Sequence, residues 1–366
     1  MELTNYWWLL IWLFGAGAFL NLAFQKKQVV SGGTKEERWE LMPAILLALP
    51  YAIWAGFRGD VGDTGMYRVG FLSSSKNLLD IPKLFFNGTK DPGYEAFVII
   101  MRNIVGENVE LFFLIIALFQ ILCIVMIFQK YSIDYWTSFF LFIASTDYMS
   151  WMMNGTRQFI AVTAIFASFG LMLYKKYIAC IIVILFISIF HNSALLMIPI
   201  IFMVQGSAWN KRNVFMLLIA LIIVAYIEKF TPIMQNLLHN TQYERVVSDK
   251  VLAVDDGTNI IRVLVYSVPA LLSLLGLNQV RSANSPIINL SVNCSIVTMA
   301  LYLVSMVTSG IYIGRLPIYT TLQGYIAVPW LIENIFTKES AKIIRILMIC
   351  SFCMFFYYQM FIAWNY

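Results

Sequence analysis

The sequence predicts an all-α protein that crosses a membrane many times. Three observations predict it: 60% of the 366 residues are hydrophobic, only 12% are Asp, Glu, Lys or Arg, and the mean hydropathy of the whole chain is +0.76. A soluble domain carries about twice that share of charge. Because about 20 apolar residues cross a bilayer as a helix, this composition excludes a soluble enzyme with a single anchor. The small basic excess, a net charge of +5, is scattered, so no nucleic-acid partner is expected.

The apolar runs between polar residues predict about twelve transmembrane helices. They are 6–24, 41–57, 109–128, 136–153, 157–174, 177–190, 193–204, 214–230, 260–277, 287–307, 316–334 and 343–363. The first run is interpreted as a retained span and not as a signal peptide, because its positive charges, Lys26 and Lys27, follow it. Two runs, 177–190 and 193–204, are short for a span, so one long helix over 177–204 is the alternative.

The distribution of charge predicts the orientation. With twelve spans and both termini outside, one side receives short loops rich in Lys and Arg, which the positive-inside rule makes cytoplasmic. Merging the two short spans would move Lys211 and Arg212 outside. We therefore predict twelve spans in one integral membrane domain over residues 1–366. The polar segments on the outer face are then the long loops 58–108 and 231–259 and the shorter clusters 154–158, 191–193 and 309–315.

Loop 58–108 contains the first candidate catalytic residues. Asp63 follows the preceding span by six residues, so it is expected near the membrane surface, and Asp91 precedes a predicted helix start. A loop carboxylate can act as a general base; a turn or helix-capping role is the alternative for both residues. The apolar stretch 71–86, with charges interspersed, is typical of helices that lie in the membrane interface.

Three arginines at outer span ends are the predicted phosphate ligands. Arg157 begins a span, Arg315 directly precedes one, and Arg58 follows one. Arginine binds phosphate or pyrophosphate through paired hydrogen bonds, and a charged residue at membrane depth is a functional candidate by default. Snorkelling to the interface or holding a lipid head group are the alternatives, and Asp147 on the preceding span is a candidate structural partner of Arg157.

No cofactor is predicted. His191, at the tip of the 177–204 hairpin, is a candidate base or sugar ligand because imidazole exchanges protons near neutral pH, with packing as the alternative. His239 is interpreted as an ordinary residue of loop 231–259. Two histidines without a Cys/His cluster do not predict zinc. Outer-loop carboxylates and carbonyls are ligands that Mg²⁺ or Ca²⁺ accepts, but no spacing requires a divalent cation.

A series of short motifs resembles a known family. In chain order they are Arg58, Gly62-Asp63-Thr64 and Tyr67; Asp91-x-Gly93-Tyr94-Glu95; Arg157-Gln158-x-x-Ala161; Phe190-His191-x-Ser193-Ala194-Leu195; and Arg315 with Tyr319. Over residues 40–330 this series resembles the EpsG family, Wzy-type polymerases of bacterial exopolysaccharide, capsule and O-antigen.

The resemblance implies a GT-C-like glycosyltransferase fold that acts at the outer face of the bacterial inner membrane. It implies a glycan substrate linked to undecaprenyl pyrophosphate, and as partners the lipid bilayer and a flippase and chain-length regulator of the same pathway. For this reaction Asp63 is the first candidate base, followed by Asp91 and His191. The candidate substrate ligands are Arg58, Tyr67, Tyr94, Arg157, Gln158, Arg315 and Tyr319. The missing DxD spacing at Asp60 and Asp63 leaves a metal-dependent mechanism in doubt.

Three other functions remain as alternatives. A transporter or flippase of a lipid-linked glycan would have ionisable residues near mid-membrane and an internal repeat, whereas the polar residues here cluster at one face. An O-antigen ligase uses the same donor but usually has one very large late outer loop, and loop 231–259 is modest. A non-catalytic scaffold would tolerate the loss of Arg157 or Asp63.

Overall fold

The computed structural model describes residues 6–31, 34–227, 233 and 257–363, and the regular secondary structure in this part of the chain is helical apart from one hairpin. The helices of eight residues or more are α1 (Trp7–Ala23), α2 (Leu41–Gly56), α3 (Thr64–Ser73), α5 (Pro92–Val105), α6 (Val109–Tyr131), α7 (Tyr135–Ala144), α8 (Thr156–Ala167), α10 (Tyr177–Ser188), α12 (Lys211–Ala225), α13 (Ile260–Leu275), α15 (Pro286–Met306), α16 (Ile318–Ile335) and α17 (Lys338–Tyr357). The shorter ones are α4 (Ile81–Phe86), α9 (Phe169–Leu173), α11 (Met197–Met203) and α14 (Leu277–Ala283). Two antiparallel strands, β1 (Lys27–Ser31) and β2 (Thr34–Arg38), form a hairpin that the sequence analysis did not predict.

Three described helices are long and apolar enough to cross a membrane: α6, α15, and α17 with its π-helical continuation to Ala363. The pair α13 and α14 would be a fourth span, bent by 73° at Gly276. The shorter apolar helices are Trp7–Ala23, Leu41–Gly56, Tyr135–Ala144, Thr156–Ala167, Tyr177–Ser188 and Asn192–Met203. The chain is therefore an all-α membrane protein, while the count of twelve spans stays a prediction.

The predicted span 136–153 is not one continuous helix. After α7 ends at Ala144, Thr146 takes the left-handed conformation with φ of 69°, and residues Tyr148–Asn154 then form a π-helix. Ser145, Thr146 and Asp147 are fully buried. Side-chain hydroxyls that bond to nearby backbone offer the chain an alternative to the helix ladder, and Oγ of Ser145 donates to the carbonyl of Phe142.

Region 177–204 also contains a break. Helix α10 ends at Ser188, and a 3-10 turn, Asn192–Leu196, leads into α11 after His191, whose backbone is extended. The structure therefore has two short helices here, as the sequence favoured, and whether they make two spans stays a prediction.

Loop 58–108 consists mainly of helices. Helices α3, α4 and α5 follow one another along it, and α5 begins at Pro92, directly after Asp91. An aromatic core holds this segment to α6: Phe71 stacks on Phe112 with ring centroids 4.3 Å apart, and Tyr94 belongs to the same buried cluster. Most of loop 231–259, including His239, lies outside the described residues.

The chain forms two compact units. The first comprises residues 1–198 and 336–366, and the second residues 199–335. In the second unit, two asparagines on α15 hold the turn that precedes α12: Oδ1 of Asn293 accepts from the backbone N–H of Trp209 (3.0 Å), and Oδ1 of Asn289 accepts from that of Ala208 (3.1 Å). The single integral membrane domain over 1–366 stays a prediction.

Candidate functional site

Arg58 joins three segments of the first unit. Its Nε donates to Oγ1 of Thr64 and its Nη2 to Oγ1 of Thr156, both at 3.1 Å, while Nη1 donates to two backbone carbonyl oxygens. The guanidinium carbon lies 4.1 Å from the centroid of the Phe113 ring. Burial lowers the pKa of Arg58 to about 10, so the side chain stays cationic at neutral pH. These bonds make Arg58 an internal anchor, and its role as a third pyrophosphate ligand stays a prediction.

Asp63 lies half-buried at the start of α3. Its backbone N–H donates to Oδ1 of Asn154 (2.9 Å), and its carbonyl accepts from the N–H of Tyr67 (3.1 Å). The carboxylate does not cap α3 and makes no hydrogen bond or ion pair with any residue that the structure describes. The backbone of Asp63 is thus fixed, while its carboxylate oxygens are available to a substrate hydroxyl.

Gly62 permits this arrangement, and its replacement gives a first prediction. Its φ is +52°, and a Cβ there would collide with Oδ1 of Asn154. We expect Gly62→Ala to lower the free energy of unfolding by roughly 1–3 kcal/mol and to displace Asp63. Gly65→Ala is the control, since a Cβ at Gly65 meets nothing within 4 Å. Thermal unfolding in detergent measures both variants, and equal unfolding temperatures would contradict the prediction.

Asp91 is buried at the start of α5, and its side chain is 1% exposed. Its Oδ1 accepts from the backbone N–H of Asn192 (3.1 Å), and its Oδ2 lies 3.2 Å from Nη1 of Arg157. Oδ2 makes no hydrogen bond of good geometry within the described residues, so the guanidinium balances this buried charge as an ion pair. The acidic partner of Arg157 is therefore Asp91, and not Asp147 as considered from the sequence.

Arg157 is the second residue of α8 and contacts two tyrosines. Its backbone N–H donates to Oη of Tyr67 (3.3 Å), and its guanidinium carbon lies 5.7 Å from the centroid of the Tyr94 ring. Its side chain is 25% exposed, and its buried Nε–H donates no hydrogen bond within the described residues. The position in the first turn of α8 adds the positive end of the helix dipole. Asp91 contacts one edge of the guanidinium, and Tyr94 lies on one of its faces. The other N–H groups of Arg157 therefore stay available to an anionic group.

Two tyrosines and a glutamate complete this cluster. Tyr67 and Tyr94 meet edge to face, with ring centroids 6.2 Å apart. Burial raises the pKa of the Tyr94 hydroxyl, so that group stays protonated. The pKa of the Glu95 carboxyl group is also raised, and burial is the largest cause. The charge of Asp91 adds to this increase, whereas the charge of Arg157 opposes it. Glu95 is half-buried and was not predicted as a site residue, although its place one turn after Asp91 was a usable signal.

His191 and Gln158 flank the same contacts. Nδ1 of His191 lies 2.7 Å from Oγ of Ser193, which orients the ring, and the neighbouring residue Asn192 donates to Asp91. Gln158 follows Arg157 in α8 and is buried. In the first unit the structure thus connects three of the predicted polar segments: 58–108, 154–158 and 191–193.

Arg315 and Tyr319 belong to the second unit. Arg315 is exposed at the end of a 3-10 turn, and Tyr319 is buried in the first turn of α16. Close packing shapes this region, since a Cβ on Gly314 would lie 2.6 Å from Oγ1 of Thr258. Their roles as substrate ligands stay predictions.

The first unit contains an available carboxylate, Asp63, and a partly exposed arginine, Arg157. Tyr67 connects the two residues, because its backbone N–H donates to the carbonyl of Asp63 and its hydroxyl accepts from the backbone N–H of Arg157. Such a set can accept a proton and stabilise an anionic leaving group. Among the described residues, no group of three or more His, Cys, Asp or Glu side chains lies where it could hold a metal ion.

The fold and these residues define a helical membrane protein with an Arg- and carboxylate-containing polar cluster. The sequence pattern that defines the EpsG family matches residues 42–365, so the chain belongs to the EpsG family, a family of Wzy-type polymerases. Neither the curated proteins nor the solved structures contain a match to it.

Proposed function

We propose that the protein is a membrane glycosyltransferase that polymerises oligosaccharide repeat units linked to undecaprenyl pyrophosphate. The product is a surface polysaccharide, and the reaction takes place at the outer face of the bacterial inner membrane. Family membership supports the polymerase class. The observation that carries the chemistry is that the first unit contains both Asp63, whose carboxylate has no partner among the described residues, and the partly exposed Arg157.

The proposed reaction joins two lipid-linked glycans without a nucleotide. A hydroxyl of the acceptor sugar attacks the anomeric carbon of the donor, a C–O bond forms, and the bond from that carbon to the pyrophosphate oxygen breaks. Asp63 accepts the hydroxyl proton as general base. Arg157 stabilises the negative charge that develops on the departing pyrophosphate.

The other predicted ligands take supporting roles in this proposal. Tyr67 and Tyr94 hold Arg157 and are proposed substrate ligands, and His191 is a sugar ligand or an alternative base. In the second unit, Arg315 and Tyr319 are proposed substrate ligands, and Gln158 is one in the first. The proposed step does not include a divalent cation, because no spacing of ligands indicates one. The expected partners are the bilayer, and a flippase and a chain-length regulator of the same pathway.

Deletion of the gene, followed by electrophoresis of the surface glycan, tests the function. If the protein is a polymerase, the ladder of glycan bands of increasing length should disappear, while single repeat units still reach the surface. A ligase predicts polymer that stays on the lipid carrier. Loss of single units together with the ladder would contradict the proposal.

The proposed orientation gives a second prediction. In a background with Cys350 and Cys353 replaced by Ser, we expect Leu79→Cys to react with a membrane-impermeant maleimide added to intact spheroplasts. Glu339→Cys should react only after lysis, because the positive-inside rule places it in the cytoplasm. Both positions are exposed, Leu79 by 77%. Labelling of Leu79→Cys only after lysis would place this loop in the cytoplasm and contradict the proposed orientation.

A flippase of lipid-linked glycan is a second candidate. The observation that favours it is the break at 145–147 inside a predicted span, where Asp147 is fully buried. Ionisable residues in broken spans mark transport pathways in many carriers. Detergent-solubilised protein distinguishes the two, since a polymerase elongates lipid-linked glycan without a sealed membrane and a flippase does not.

A further inference from the structure

Asp91 differs from Asp63 in the access to substrate that a general base requires. A base must come within about 2.6–3.2 Å of the proton that it removes. The side chain of Asp91 is 1% exposed and both its oxygens face protein groups, Asn192 and Arg157. Asp63 is half-buried, and its carboxylate has no partner among the described residues.

The backbone around Asp91 is built to hold that carboxylate in place. Asp91 itself has φ of 52°, in the left-handed region. The N–H of Gly93 donates to the carbonyl of Ile189 (2.8 Å), and a Cβ on Gly93 would lie 3.1 Å from the backbone carbonyl carbon of Ile189 and 2.5 Å from its Cγ1. Only glycine permits this approach. The start of α5 is therefore fastened to the corner that carries His191.

Arg157 receives its orientation from these contacts. Asp91 contacts Nη1 of the guanidinium, and the guanidinium carbon lies over the ring of Tyr94, 5.7 Å from its centroid. A free arginine side chain loses rotamer entropy when it binds a ligand, and an arginine already held loses less. The ion pair thus prepares the remaining donors of Arg157 for an anion.

We infer that Asp91 is a positioning residue: it orients Arg157 and fastens the His191 corner, and it does not accept the substrate proton. This inference rests on the proposed function for the identity of the anion, a lipid pyrophosphate. It moves Asp91 from the set of candidate bases to the support of Arg157.

A double-mutant cycle between Asp91 and Arg157 tests the inference. Asp91→Asn is the informative variant, because an amide oxygen still accepts from Asn192 and asparagine tolerates the left-handed region. We expect Asp91→Asn to lower the affinity for undecaprenyl pyrophosphate and kcat/KM for polymerisation by about tenfold each. In the Arg157→Ala background the same substitution should change either quantity by less than about threefold.

The pH profile separates positioning from proton transfer. We expect Asp91→Asn to leave the acidic limb of kcat/KM in place, since the base remains. Asp80→Asn is the matched control: it removes an ion-paired carboxylate in the same loop, on Lys83, and should leave both readouts unchanged. Asp91→Asn with wild-type affinity, additive losses in the cycle, or a lost acidic limb would each overturn the inference.

The two proposals fail separately. Coupling between Asp91 and Arg157 in lipid binding, without any polymerisation by the unsubstituted protein, would keep the inference and refute the proposed function. Polymerisation by the unsubstituted protein, together with additive losses in the double-mutant cycle, would refute the inference and keep the proposed function. If the unsubstituted protein does not bind undecaprenyl pyrophosphate, the inference is overturned. The proposed function is then still tested by the surface-glycan electrophoresis of the deletion strain.

Discussion

Replacement of Asp63 by Asn is expected to lower kcat for polymerisation by about 10²–10⁴-fold, the range that a general base usually contributes. The amide keeps the size of the side chain but accepts no proton at neutral pH. The backbone N–H of Asp63 still donates to Asn154, so the fold should be unaffected. Donor binding should persist, because the Asp63 carboxylate makes no hydrogen bond or ion pair with Arg157. An in vitro assay with lipid-linked repeat units measures the rate, with protein level and unfolding temperature as checks.

Two carboxylates nearby sharpen this test. Asp60→Asn removes a charge three residues earlier, where the side chain is 82% exposed, and should change the rate little. Glu95→Gln tests the other half-buried carboxylate of the cluster. If Asp63→Asn keeps more than about a tenth of the wild-type rate, Asp63 is not the base; a large loss in Glu95→Gln would then assign the role to Glu95.

Hydropathy was sufficient to locate the apolar helices, and the reason is physical. In a bilayer every backbone polar group must be satisfied within the segment, and a helix does so locally. A helix accordingly lies within each apolar run that the structure describes. The breaks depend on individual residues: Thr146 lies inside an apolar run whose mean hydropathy conceals it, and its left-handed backbone becomes visible only in three dimensions.

The residues of the candidate site could be predicted from the sequence, but the contacts between them could not. Asp91, Arg157 and His191 were all singled out by type and position. Their pairing depends on how α5 and α8 pack, and residues 91 and 157 carry no local signal of it. Arg58 was likewise singled out by its position at a span end, but its burial and its four hydrogen bonds to protein groups were not predicted.

Replacement of Arg157 by Lys is the second change with a large expected effect. Lysine keeps the charge and can still pair with Asp91, but it lacks the planar fork that binds a pyrophosphate through two parallel hydrogen bonds. Its ammonium also stacks less favourably on Tyr94 than the guanidinium that lies over that ring. We expect a loss of transition-state stabilisation on the order of 2–5 kcal/mol, because the lost bonds are charge-assisted and partly desolvated.

Arg68→Lys is the matched control for this change. Arg68 is also partly exposed, with 36% of its side chain accessible, and it pairs with two carboxylates, Asp60 and Glu110, at 4.0 and 3.9 Å. Ion pairs of this exposure contribute about 0–1 kcal/mol, so Arg68→Lys should polymerise almost as the wild type does. The ladder in cells and kcat/KM in vitro measure both variants at matched expression. Full polymer production by Arg157→Lys would show that charge alone suffices at this position and would remove Arg157 as the group that binds the leaving pyrophosphate through its fork.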